Sequence, residues 1–195
     1  MARPKLDGKP DAVTRMMKAF WDCLEEKPFA AITVKDIAQH ANVNRNTFYY
    51  HFEDLIDLAR ATLNTSLVTE FSELAHVFLL NIEKPAELPP HVGSPTQMRK
   101  IKLISGKHST HELIELMKDA ALKNTFALSG INEDNVSFED LISLRFILAG
   151  VVDLWGSADE RYGEEALTPS VLFNTKIMQS NLNVARSIIE KYTRA

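Results

Sequence analysis

One cysteine, seven glycines and no long uncharged apolar run narrow the choices open to this 195-residue chain. A single thiol, Cys23, closes no internal disulfide, which suits a reducing compartment and a cytoplasmic protein held together by packing alone. The most apolar stretch, residues 141–155 (LISLRFILAGVVDLW), is short and carries Arg145 and Asp153. The basic start MARPKLDGKP has no apolar core, so neither a membrane span nor a signal peptide is expected. A dominant charge is missing too: 22 Lys and Arg stand against 26 Asp and Glu. Bulk electrostatics therefore announces no nucleic-acid partner, and a local patch would have to supply one. His108 and His111 share a helical spacing but lack a third metal ligand nearby. The SGKH at 105–108 lacks the leading glycine and the following Ser or Thr of a phosphate loop. No nucleophile elbow is present. We expect no metal, no cofactor and no catalytic residue, and a helical enzyme is the least supported reading.

Apolar residues recur at three- and four-residue spacing with no competing alternation, which predicts an all-α protein. Val13, Met16, Met17, Phe20 and Leu24 mark one face of a first helix that starts near Asp11 and stops before Pro28. Thr33 followed by Asp36 has the spacing of a capping box. The helix it opens buries Val34, Ile37, Ala38 and Ala41 but spans only about two turns, too short to stand without neighbours. Asp54 and Asp57 signal a fourth helix whose apolar positions run from Leu55 to Phe78, long enough to bridge two modules. The proline-rich segment EKPAELPPHVGSPTQ reads as a loop. Beyond it, Ser109 or Thr110, Ser137 with Asp140, and Thr168 before Pro169 signal three further helices.

The informative stretch is 33–54. A short helix, a tight connection at Asn42–Asn44 and a second short helix from about Arg45 to Phe52 have the dimensions of a helix-turn-helix. At about 100° per residue, Phe48 and Phe52 share one side of the second helix, while Asn46, Thr47 and Tyr50 point away and Tyr49 lies on the flank. Amide and hydroxyl side chains read base edges in a major groove, and tyrosine hydroxyls bond phosphates. Arg45 at the helix start reaches a guanine edge or a phosphate, and Thr33 is placed to hold a second phosphate.

The run ITVKDIAQHANVNRNTFYYHFEDLIDL resembles the N-terminal DNA-binding domain of the TetR/AcrR family of transcriptional regulators. Ile37-Ala38, Ala41, Val43 and the series Thr47 to Phe52 match its pattern in order. The resemblance implies a DNA-binding domain at residues 1–60, joined by a long helix to a ligand-binding and dimerisation domain at 61–195. It implies a homodimer reading a palindromic double-stranded operator, a repressor released by a small-molecule inducer. Thr33, Arg45, Asn46, Thr47, Tyr49, Tyr50 and His51 would be its DNA contacts.

Two positions depart from the pattern. Asn42 stands where glycine is usual, which asparagine's tolerance of left-handed backbone permits. Leu55 stands where a lysine is usual, behind Glu53 and Asp54. Residues 1–60 hold nine cations and nine anions, so binding cannot rest on a broad basic face. The basic arm with Arg3, Lys5 and Lys9 is expected to add phosphate neutralisation. The same departures support an alternative, a TetR-like protein acting through a protein partner.

In the second domain, the helix around 138–156 is apolar nearly all round through Leu141, Leu144, Leu148, Val152 and Trp155. The final helix, 169–191, carries a stripe of Val171, Met178, Leu182, Ala185 and Ile189. By the resemblance these two helices hold the dimer. Arg145, a lone charge in an apolar segment, requires an acid such as Glu115 or Asp119, or an anionic ligand. His111, Met117, Phe126, Arg145 and Trp155 are the candidate ligand-pocket residues.

Overall fold

The computed structural model describes residues 10–66, 95–162 (backbone alone for 158–162) and 175–193. Every regular element among them is helical. In order they are α1 (Ala12–Glu26), α2 (Val34–His40), α3 (Arg45–His51), α4 (Leu55–Ser66), α5 (Pro95–Ser105), α6 (His111–Leu128), α7 (Phe138–Tyr162) and α8 (Lys176–Thr193). The chain divides into two compact units, Met1–Thr62 and Leu63–Ala195.

In the first unit, α1 opens where Asp11 accepts from the Thr14 N–H at 2.8 Å. It buries Met16, Ala19, Phe20, Cys23 and Leu24, one stripe at helical spacing. Pro28 cannot continue the ladder, and a 3-10 turn at Phe29–Ala31 brings the Phe29 ring to 6.1 Å from that of Phe20. The capping box at the start of α2 is formed in full: Thr33 Oγ1 accepts from the Asp36 N–H, and the Asp36 carboxylate accepts from the Thr33 N–H at 2.8 Å. Ile37 and Ala38 then bury against α1. Asp54 caps α4 by accepting from the Asp57 N–H at 2.8 Å, and Asp57 reaches back to the Glu53 N–H at 3.2 Å. The continuation of this helix toward Phe78 lies outside the described residues.

In the second unit, α7 packs on α5, α6 and α8. Leu122, Phe126, Ile131, Leu144, Ala185, Ile188 and Ile189 form one core cluster. The end of α5 meets α7 backbone to backbone, since a Cβ at Gly156 would sit 2.1 Å from the Ser105 carbonyl oxygen. Ser137 and Asp140 start α7 as expected, and Asp140 Oδ2 also accepts from Lys191 Nζ at 2.7 Å and from the Tyr192 hydroxyl at 2.6 Å. Those donors, Lys191 first, hold the Asp140 carboxyl down at about 2.

Two expectations change here. A helix, α5, begins inside the segment expected to be a loop: Pro95 occupies its first position, where a missing N–H costs nothing, and Gln97, Ile101 and Ile104 are its buried side. The SGKH stretch, not expected to be a phosphate loop, starts at the last residue of this helix and turns away from it, with the Gly106 N–H bonded to the Lys102 carbonyl at 2.8 Å. In α8, Met178, Leu182, Ala185 and Ile189 are buried within this chain, and Ala185 and Ile189 pack in the cluster shared with α7. The large apolar side chains that these two helices leave on the surface are instead Phe138, Ile142 and Phe146 on α7, and Ile177 and Val184 on α8. The Thr168–Pro169 start signal and Val171 lie outside the described residues.

Candidate nucleic-acid interface

The recognition helix is built by its two ends. Asn44 caps α3, its Oδ1 accepting from the Thr47 N–H at 2.7 Å and from the Thr47 hydroxyl at 3.0 Å. At the other end Phe52 leaves helical geometry while its N–H still reaches the Phe48 carbonyl. Phe48 and Phe52 are 0% and 6% exposed with ring centroids 5.8 Å apart, and they fix the helix to its unit. The opposite face is open: Tyr50 is 83% and Tyr49 54% exposed, and Arg45, Asn46 and His51 are exposed beside them. The Tyr50 and His51 rings meet edge to face at 4.9 Å, and Tyr49 lies edge to face against Phe48 at 5.5 Å, so the phenols are held outward. This arrangement presents a guanidinium, an amide, two phenols and an imidazole on one two-turn helix.

The two threonines stand differently. Thr47 donates its hydroxyl to its own cap residue. The Thr33 hydroxyl donates to Asp36 Oδ2 at 2.6 Å, and Lys27 Nζ meets the same oxygen at 2.7 Å. Lys27 and Thr33 together hold the Asp36 carboxyl well below the usual carboxylate range. A phosphate only accepts, so it finds a free donor at neither threonine while these caps are closed. Both side chains shape the helix starts that aim the exposed residues.

The turn itself rests on a residue the pattern did not reveal. Asn42 sits in the left-handed region at φ 50°, as its replacement of glycine required. Arg15, on α1, donates from one guanidinium nitrogen to the Ala41 carbonyl at 2.9 Å and the Asn42 carbonyl at 3.1 Å. These are carbonyls at the end of α2, where a cation is favoured. The Val43 N–H closes the turn on the Ala38 carbonyl at 2.9 Å. Nothing in local spacing marks Arg15 for this role, because its acceptors lie 26 and 27 residues away. Cys23 is fully buried, and burial above all pushes its thiol up to about 11, a small core group with little thiolate.

Leu55, in place of the usual lysine, is half-buried, and the acids around it start α4. In the second unit the pocket candidates fall in different places. His111 is exposed at the first position of α6, Met117 and Trp155 are buried, and Phe126 belongs to the core cluster. Arg145 pairs with Asp119, one of the acids expected for it, through both terminal nitrogens. Lys118 first, and His111 and Arg145 more weakly, lower the Glu115 carboxyl beside them. Among the described residues no three His, Cys, Asp or Glu side chains gather to hold a metal, and no helix is long and apolar enough to cross a membrane.

Residues 17–62 match the family described as bacterial regulatory proteins, tetR family. None of the curated proteins matches the chain. The matched residues run from α1 through the capped α2, the Asn42 turn and the outward face of α3 into α4. The N-terminal unit therefore carries a helix-turn-helix of the tetR-family type, and this domain supports a DNA-binding transcriptional regulator.

Proposed function

We propose that the protein is a cytoplasmic homodimer that represses transcription from a palindromic operator and is released by a small-molecule effector, with no catalytic step. The observation that carries the reading is the division of α3, with Phe48 and Phe52 inside and Arg45, Asn46, Tyr49, Tyr50 and His51 outside. Each recognition helix enters a major groove; Asn46 and Arg45 meet base edges, and Tyr49, Tyr50 and His51 bond phosphates. Thr33 and Thr47 set the helix starts, and Thr33 joins a phosphate only if its cap opens. The dimer forms through α7 and α8, where Phe138, Ile142, Phe146, Ile177 and Val184 are exposed. An effector held by the second domain, with His111, Met117, Phe126, Arg145 and Trp155 as pocket candidates, shifts the spacing of the two recognition helices.

Gel retardation with the DNA flanking the protein's own gene, at two salt concentrations, tests this. Sequence-specific retardation that Arg45→Ala and the Tyr49→Phe/Tyr50→Phe pair weaken is expected. Removing residues 2–9, with Arg3, Lys5 and Lys9, should flatten the log–log salt slope by about one to three units, roughly one for each phosphate that is no longer neutralised. A second reading is favoured by one observation: Asp54 and Asp57 occupy the start of α4, where a phosphate would otherwise be drawn. In that reading the domain acts through a protein partner, and specific DNA is not retarded even at low salt.

A further inference from the structure

Away from the recognition face, a second cluster of chemistry joins the ends of α1 and α2. His40 is the last residue of α2. Its Nδ1 lies 3.0 Å from the Asp36 carbonyl oxygen, and its Nε2 lies 3.2 Å from Glu26 Oε1. A carbonyl and an ionised carboxylate only accept hydrogen bonds. Neutral imidazole carries one N–H and satisfies one of them; the imidazolium carries two and satisfies both. Cys23 Sγ lies 3.5 Å from the same Nδ1, and its thiol keeps its proton. The neutral ring therefore has a ready alternative. With its remaining proton on Nε2 toward Glu26, the bare Nδ1 repels the Asp36 carbonyl and accepts from the Cys23 thiol.

The surroundings favour the charged ring. From α1 it faces the carboxylates of Glu26 and, farther off, Asp22. On its own helix the Asp36 carboxylate is occupied by Lys27 and Thr33, and Arg15 from α1 holds the neighbouring Ala41 carbonyl. The titratable and charged side chains of α3, Arg45, Tyr49, Tyr50 and His51, are exposed on its outer face. A cation in the last turn of α2 also complements the helix dipole. The Asp36 carbonyl first, and Glu26 after it, raise the imidazole above its ordinary value.

We propose that His40 is a protonation-controlled strap on the helix-turn-helix. As imidazolium it pins the last turn of α2, next to the turn at Ala41 and Asn42, through the Asp36 carbonyl, and forms a charged pair with Glu26 at the end of α1. On release of the Nδ1 proton to water the Asp36 carbonyl is given up for the Cys23 thiol and the bond to Glu26 loses its charge assistance, so the hold on the last turn of α2 weakens. A raised folded value means the strap's stabilisation is fully present below the unfolded histidine value and is lost as pH rises through the folded one. Its consequence for operator binding, weaker binding on the alkaline side, rests on the DNA-binding reading above.

Ring NMR of the full chain, with the His40 resonances assigned by His40→Gln, gives the direct test. His40 is expected to titrate above about 6.5. Glu26→Gln should lower that midpoint, and the ring carbons should show the Nε2–H tautomer at high pH. Denaturant unfolding of wild type and His40→Gln, at about pH 6 and about pH 8.5, is the second arm. The difference between them should be present at the lower pH and shrink at the higher. A midpoint at or below 6.5 that Glu26→Gln does not move, or a stability difference equal at both pH values, overturns the strap. If His40→Gln does not fold, through-bond assignment of the wild-type ring resonances replaces it, and the wild-type titration and the Glu26→Gln shift still decide it. Operator affinity should fall several-fold more between the two pH values for wild type than for His40→Gln. Absence of DNA binding at every pH would overturn the DNA-binding reading, while the NMR and unfolding arms still decide the strap.

Discussion

Replacing Arg15 by methionine isolates what the guanidinium does for the turn. Methionine keeps an apolar stem of similar length, so the packing of the side chain against α1 and the turn is largely retained. What disappears is the donor to the Ala41 carbonyl at 2.9 Å and the Asn42 carbonyl at 3.1 Å. A hydrogen bond from a charged group contributes about 1.5–3 kcal/mol. Here one nitrogen serves both acceptors and the site is part-exposed, so water compensates some of the loss; the two bonds together are worth about 2 kcal/mol. For a unit of this size that lowers the thermal midpoint by on the order of 10 °C. Circular dichroism melting measures the shift. Hydrogen exchange at Val43, whose N–H closes the turn, localises it to the first unit. Lys18→Ala is the control, because the Lys18–Asp22 pair on the same helix is exposed and should change stability by less than about 0.5 kcal/mol. An Arg15→Met protein that melts like wild type, with Val43 exchange unchanged, would refute the assignment of Arg15 to the turn.

In the second unit, Gly156→Ala should cost about 3 kcal/mol or more, because the new methyl meets the Ser105 backbone, which cannot yield without moving α5. Gly150→Ala, with open space around it, should be neutral or stabilising by up to about 1 kcal/mol, and urea unfolding titrations of the two variants measure both effects. Asp140→Asn weakens the attachment of Lys191 and Tyr192 to the start of α7. Since the Asp140 carboxyl is lowered, the wild-type advantage should be full at neutral pH and shrink as pH falls through about 2. Phe146→Asp should leave the fold intact, because Phe146 is 74% exposed, yet convert the proposed dimer to monomer in sedimentation; a dimer unchanged by the substitution would remove Phe146 from the interface.

Much of the first unit is legible in the sequence because its signals are local. A capping box acts within three residues, a helical face repeats within one turn, and Asn42 carries its own conformational preference, so Thr33–Asp36, Phe48–Phe52 and the turn follow from spacing alone. The outward set on α3 is the complement of the buried pair and comes with it. Helix α5 is hidden because its segment opens in a proline-rich run, whose composition points to a loop. Its signal, Pro95 at the first position and Gln97, Ile101 and Ile104 on one side, is nonetheless present.

By itself, then, the sequence determined an all-helical chain, the short capped helices of a helix-turn-helix, and which residues α3 turns outward, because backbone capping and side-chain periodicity operate over a few residues. Only the tertiary structure decided that Arg15 holds the turn and that His40 stands between Glu26 and the Asp36 carbonyl. It also decided that the hydroxyl of Thr33 is held by Asp36 and that the inward face of α8 is used within the chain, leaving Phe138, Ile142 and Phe146 outside. Helical periodicity marks an apolar face but carries no label for what covers it. Partners 14 to 27 residues apart meet only when packing sets the rotation of each helix against its neighbours.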